Sequence, residues 1–268
     1  MPIAKLKNNV EMYYEMHGYK EPLVLINGLK SDHTGWMPML DNLKKRFQVI
    51  LLDNRAIGQT KDDGKAFTVE DMAFDVVLLM EHLKIDLAYI AGHSMGGAIA
   101  QVLAHRYPEK VKKIFLCNTF IKFNEASREG FSEVLELYKQ GASRVVIMNT
   151  VIPWVFANTL DTPEFRAQIH AFIEADSLWQ NKEDYERQFN ALNAFDSSQW
   201  VAAINVPTVV IGSRADKTAL LEESEDLAEK IQDASLEILE GGHASAVEQP
   251  QALLNIFIKH LCENFTGN

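Results

Sequence analysis

Two patterns of hydrophobic and polar positions take turns along the chain. Short aliphatic or β-branched runs are followed by longer stretches in which apolar residues recur every three or four positions. The runs predict strands over 10–16, 23–26, 48–52, 87–91, 113–117, 208–211 and 236–239. Several of them are continuously apolar rather than alternating, as strands covered on both faces require. The stretches between them predict helices over 34–46, 69–83, 95–107, 220–231 and 246–261. Thr68 precedes one of these with Asp71 three residues on, the spacing of a capping box, and Pro108 closes another because its ring clashes with continued helix. Strands alternating with helices predict an α/β architecture, a mostly parallel sheet flanked by helices.

The alternation stops between residues 118 and 200. Only helical periodicity is found there, over 127–138, 143–151, 163–179 and 182–195, and 13 of the chain's 25 aromatic residues fall in this segment. Inserted between two strands, it predicts a helical lid packed over one edge of the sheet. The expected division is therefore a core of 1–117 with 201–268, and a cap of 118–200. A length of 268 residues, 47% hydrophobic and 24% charged, suits one large folded unit carrying an insertion and excludes global disorder.

Charge and cysteine usage narrow the partners. A net charge of −11 repels phosphate backbones and anionic membrane surfaces, so nucleic acid is not expected as a partner. The amino-terminal residues lack the apolar core of a secretory signal, and the longest apolar runs, such as 76–80, fall far short of the roughly 18 residues a membrane span needs. Cys117 and Cys262 have neither disulfide-framework nor metal-ligand spacing, which fits reduced thiols in a cytoplasmic protein. No metal and no cofactor are expected, and the oligomeric state stays open.

The sharpest chemical signal is Gly92-His93-Ser94-Met95-Gly96, a G-x-S-x-G sequence lying between a predicted strand and a predicted helix. That context is the strand–turn–helix of a nucleophile elbow, where side chains at 92 and 96 would collide and a strained turn lifts the serine hydroxyl clear. A serine needs a base. Of eight histidines, His243 follows the last predicted strand on a Gly-rich turn; His33, after another strand end, is a distant second. His17, His82, His105, His170 and His260 sit inside strand or helix patterns, and His93, within the elbow itself, is badly placed to act as base. Asp216 follows the strand over 208–211 and would fix the tautomer of His243. Backbone N–H groups of Met95 and Leu29, the latter in the Asn27-Gly28-Leu29 turn, are the expected oxyanion donors.

These residues resemble the α/β-hydrolase superfamily over nearly the whole chain, including its order of serine, acid and histidine in Ser94, Asp216 and His243. Asp53-Asn54-Arg55-Ala56-Ile57-Gly58-Gln59-Thr60 is similar to the family's D-x-R-G-x-G-x-S loop, with Ala56 and Thr60 where Gly and Ser are usual. Asn27-Gly28 in place of His-Gly, with the Leu116–Thr119 segment, resembles 3-oxoadipate enol-lactonases; the helical lid and short length are similar to pimeloyl-acyl-carrier-protein methyl ester esterases.

The resemblance implies a serine carboxylic-ester hydrolase working through an acyl-enzyme on a small or medium acyl ester, with a small-molecule or acyl-carrier substrate. Lid aromatics Phe120, Phe123, Trp154, Phe156 and Trp179 are expected to line an apolar pocket. The other readings are an enol-lactonase or C–C bond hydrolase, and a non-catalytic small-molecule receptor on the same fold.

Overall fold

A computed structural model of the chain describes residues 2–262, so Met1 and the end of the expected 201–268 core segment lie outside the described residues, as does the side chain of Cys262. Eight strands form one sheet: β1 (Ile3–Lys5), β2 (Glu11–His17), β3 (Glu21–Ile26), β4 (Phe47–Leu52), β5 (Ala88–His93), β6 (Val111–Cys117), β7 (Thr208–Ser213) and β8 (Ala234–Leu239). Their spatial order is β1-β2-β4-β3-β5-β6-β7-β8. The first two strands pair antiparallel, β2 to β1 and to β4, and every later pairing is parallel. The expected α/β fold is the observed one. β1 has no counterpart in the sequence reading: three residues with one buried between two exposed are too few to show a period.

Strand interiors explain the continuous apolar runs. In β3, Leu23 and Leu25 enter one core and Val24 and Ile26 the other; in β6, Phe115 and Cys117 oppose Ile114 and Leu116. Successive side chains point to opposite faces, and both faces are covered. On one side lie α2 (Val69–His82), α3 (Met95–Arg106) and α8 (Leu221–Lys230); on the other lie α1 (Met37–Leu43) and α10 (Pro250–Cys262). Burial pushes the free thiol of Cys117 far above its ordinary value, so it is inert where it stands.

Helix ends follow local chemistry. Asp71 N–H donates to Thr68 Oγ1 at 3.2 Å, and Asp71 Oδ2 accepts from Thr68 N–H at 2.8 Å, closing the expected capping box on α2. The helix expected over 246–261 is instead two, α9 (Ser245–Glu248) and α10, because Pro250 bars its preceding residue, Gln249, from helical geometry. The helix expected over 34–46 opens as a tight 3-10 turn, His33–Trp36, before α1.

Between β6 and β7 stand α4 (Glu125–Lys139), α5 (Arg144–Val155), α6 (Pro163–Ala175) and α7 (Lys182–Ala194). α5 continues through Pro153 to Val155, beyond the expected 151, whereas α6 ends at Ala175, short of the expected 179, as Asp176 turns to ψ 110°. No helix among the described residues is long and apolar enough to cross a membrane.

Because β3 and β5–β8 are parallel, their carboxyl ends share one edge of the sheet, where an open α/β sheet presents its loops to a ligand. The elbow after β5 depends on two missing side chains. A Cβ on Gly92 would lie 2.1 Å from the Gly96 carbonyl oxygen, and one on Gly96 would lie 2.2 Å from that of Ile26. Gly64 differs: it has open space but a φ of +73°. Gly92→Ala is expected to destabilise by about 3 kcal/mol or more through backbone overlap. Gly64→Ala is expected to cost only about 1 kcal/mol of left-handed strain. Urea denaturation of both variants measures the difference, and equal losses would refute the close-packing argument.

Candidate functional site

Ser94 occupies the turn between β5 and α3 with φ 55° and ψ −121°, a backbone conformation that L side chains rarely adopt. α3 begins immediately behind it, and the Met95 N–H, the first of the helix, has no intrahelical acceptor. Gly28 lies directly above: a Cβ there would come within 2.9 Å of Ser94 Cβ and 3.3 Å of its Oγ. The next residue is Leu29, which lines the same cavity as Ser94. Asn27 ties this turn down, donating from Nδ2 to the Asp32 carbonyl while its own carbonyl accepts from Asn54 Nδ2 at 2.9 Å.

Asp216 and His243 meet. His243 Nδ1 and Asp216 Oδ2 are 2.8 Å apart and both side chains are buried. With Nδ1–H donated to the carboxylate, Nε2 carries the lone pair. The same carboxylate accepts from Asn118 Nδ2 at 2.9 Å and from the backbone N–H groups of Thr218 and Ala219 at 2.8 and 2.9 Å. Asn118 follows β6 with φ 48° and also donates to Ser213 Oγ at 2.8 Å. Sequence reasoning used the Leu116–Thr119 segment for resemblance and missed this positioning role; an Asn at a parallel strand's carboxyl end, between nucleophile and acid, was the available signal.

β8 is three strands from β5, and neighbouring strands stand about 4.8 Å apart, so the His243 loop must run back across the sheet edge by about 14 Å. It is held there from three sides. His93 Nε2 lies 2.7 Å from the His243 carbonyl oxygen. Burial and the neighbouring His243 push His93 down to about 3, so it is neutral and serves as an N–H donor to that carbonyl. Glu248 accepts from the Gly242 N–H at 2.9 Å and from the Ala157 N–H at 3.3 Å, its carboxyl raised by burial although these donors oppose the rise. Ala244 N–H donates to the Val155 carbonyl at 2.9 Å.

His33, the second candidate base, forms its own pair with Asp53, Nδ1 to Oδ1 at 2.7 Å, while its Nε2 faces Glu15 at 3.6 Å. Burial disfavours its charge, but the Asp53 hydrogen bond and charge prevail and raise it. The remaining histidines make packing or surface contacts: His17 with Glu15, His105 on Trp200, His170 with Asn149, His260 with Glu237, and His82 edge-on to Tyr14. Ala56 adopts φ 64°, the region that favours the glycine usual at this point of the loop, and Thr60 Oγ1 donates to the Asp53 carbonyl at 2.7 Å.

A cavity of about 870 Å³ spans the strand-end loops below and the inserted helices above, with Ser94 and His243 on its floor. That volume suits a small organic ligand. Of the five aromatics expected to line it, Phe123, Phe156 and Trp179 do. Phe120 does not, being fully buried behind Phe123, and Trp154 does not, because its indole lies against the backbone of Gly130. Sequence periodicity marks which helices are aromatic but not which ring is turned inward.

With this geometry in view, the kinship is informative. A family profile described as alpha/beta hydrolase fold matches residues 21–250. 3-Oxoadipate enol-lactonase 2 of Acinetobacter baylyi is 26% identical over 260 residues, covering 94% of this chain and 95% of the relative. The putative carbamate hydrolase RutD of Stutzerimonas stutzeri is 28% identical over 263 residues, covering 94% and 97%. Among solved structures, the enol-lactonase from Burkholderia xenovorans LB400 superposes with a TM-score of 0.88 at 28% identity, covering 98% of this chain and 100% of that one. The chain is thus a hydrolase and belongs to the α/β-hydrolase fold family.

Proposed function

We propose that the protein is a serine hydrolase of carboxylic esters, internal esters (lactones) included, with Ser94, His243 and Asp216 as its catalytic triad. The observation that carries the reading is the strained Ser94 turn opening into the same cavity as a buried His243–Asp216 pair. In this reading Ser94 Oγ attacks the substrate carbonyl as its proton passes to His243 Nε2. The Leu29 and Met95 N–H groups stabilise the developing oxyanion, which is commonly the largest single contribution to rate. His243 then protonates the departing alkoxide, leaving an acyl-enzyme, and activates the water that releases the acid. In a lactone the departing oxygen stays tethered to the acyl group, and the steps are otherwise the same. The helices over 118–200 act as a cap that shields the acyl-enzyme.

Names of the relatives favour small-molecule substrates: they are an enol-lactonase and a putative carbamate hydrolase. We therefore place a small ester or lactone ahead of an acyl-carrier ester. The strained Ser94 turn beside a buried His243–Asp216 pair favours catalysis over a non-catalytic receptor. Labelling with a fluorophosphonate separates these readings, since only an activated serine reacts.

Ser94→Ala is expected to lower kcat on p-nitrophenyl butyrate and on dihydrocoumarin by at least about 10³-fold. Its melting temperature should stay near that of the parent, and phosphonate labelling should vanish. Retained turnover would exclude Ser94 as nucleophile. Asn118→Ala removes a charge-assisted bond to Asp216 and is expected to lower kcat about tenfold or more. KM should change little, because Asn118 does not line the cavity.

A further inference from the structure

The cavity wall carries a cation that the proposed chemistry does not use. Lys30 directly follows Leu29, with φ 59° and its N–H donated to Gln188 Oε1 at 3.2 Å. Its side chain ends among the inserted helices. Nζ donates to Tyr138 Oη at 2.9 Å and lies 3.2 Å from the centroid of the Trp179 ring. Arg144 stands over the same indole, 5.4 Å from its centroid, and spends Nη1 on the carbonyls of Ile173 and Asp176. The Asp176 carboxylate also attracts Lys30, but from beyond contact, and its Oδ1 accepts from the Leu178 N–H at 2.7 Å.

Two cations therefore converge on one indole without an ion pair to any carboxylate among the described residues, in a chain of net charge −11. An ammonium has three donors. Tyr138 takes one and the ring face occupies another, which leaves one for a ligand in the cavity that Lys30 lines. Burial, with Arg144 adding to it, pulls Lys30 down to about 7, against the attraction of Asp176. A bound anion would offset both effects and stabilise the charged form of Lys30.

We propose that the cavity selects substrates bearing a carboxylate besides the hydrolysed carbonyl, and that Lys30 is the specificity-determining residue that holds it against Tyr138 and Trp179. The inference deepens the ester-hydrolase reading and rests on it for the place of the scissile bond. A Cβ on Gly28 would meet Ser94, and Lys30 is two residues on, at most about 7 Å of chain, with its four-carbon side chain carrying the ammonium beyond that. The substrate is thus a short molecule with its reacting carbonyl at Ser94 and its acid end toward the inserted helices, such as the half-ester of a dicarboxylic acid or a lactone acid.

The test compares mono-p-nitrophenyl glutarate and adipate with the same compounds capped as methyl esters. At pH 6.5 the parent enzyme should favour the free acids by tenfold or more in kcat/KM, chiefly through KM. Lys30→Met should collapse that ratio to within threefold, and Lys30→Arg should keep most of it. The parent's preference should shrink as pH rises from 6.5 to 9 and Lys30 loses its proton, while the Lys30→Arg preference stays flat. Calorimetry on Ser94→Ala, with the same half-esters and their capped forms, reads binding without turnover; tenfold tighter binding of the acid, about 1.4 kcal/mol, is expected. Equal binding or turnover of acid and capped forms would overturn the proposal, as would a preference that survives in Lys30→Met. Failure of phosphonate labelling and of all ester turnover would strike the hydrolytic reading instead, and the calorimetric comparison would still decide the anion subsite.

Discussion

The turn from β5 into α3 constrains everything around it. Backbone from three segments meets there at distances that exclude a single Cβ at Gly92 or Gly96, so α3 is pressed onto the carboxyl end of β3. That packing holds Ser94 at a positive φ, against an intrinsic preference of roughly 1–2 kcal/mol. The conformation is fixed because the surrounding sheet and helix are fully buried and have no alternative packing of equal density. The hydroxyl, the first N–H groups of α3 and the Gly28 turn above them come into register from this one contact.

The rest of the site is a problem of distance. Asp216 leaves β7 and His243 leaves β8, so both must be bent back toward β5 by loops with little regular structure of their own. Hydrogen bonds supply what secondary structure does not. Asp216 is fixed by four donors, and His243 is fixed through its ring by Asp216 and through its carbonyl by His93. Because burial keeps His93 neutral, it donates to that carbonyl without placing a positive charge beside the His243 ring.

The fold was legible because parallel strands covered on both faces leave an unmistakable trace, as in β3, β6 and β7, and because Thr68 and Pro108 mark helix ends by local chemistry. That Ser94, His243 and Asp216 come together was legible for a related reason: each comes after a readable strand, and parallel strands deliver the loops at their carboxyl ends to one edge of the sheet. The break between α9 and α10 had its signal in Pro250, which the apolar period of 246–261 masked. The remaining differences are tertiary. Nothing in the order of residues tells that Trp154 turns onto Gly130 while Trp179 faces the cavity. Lys30 reads as an ordinary loop lysine, since its meaning comes from Tyr138 and Trp179, more than a hundred residues away.

The inserted helices do more than roof the cavity. The carboxyl end of α5 is joined to both loops that carry the triad candidates. Lys217 Nζ donates to the Pro153 carbonyl at 3.0 Å and to Asn158 Oδ1 at 2.6 Å, and Thr218 Oγ1 donates to the Trp154 carbonyl at 3.0 Å. On the other side, Val155 and Ala157 are joined to Ala244 and Glu248. A displacement of this end of α5 would therefore drag Asp216 and His243 with it and disturb the 2.8 Å contact between them. Among the described residues, α6 makes no such hydrogen bond to either loop, and its Phe172, on the cavity wall, is 63% exposed. The two parts of the insertion thus relate differently to the site: α5 is joined directly to the loops of Asp216 and His243, whereas α6 reaches them through α5, by Arg166 and His170 on Asn149 and by Phe165 against Phe156.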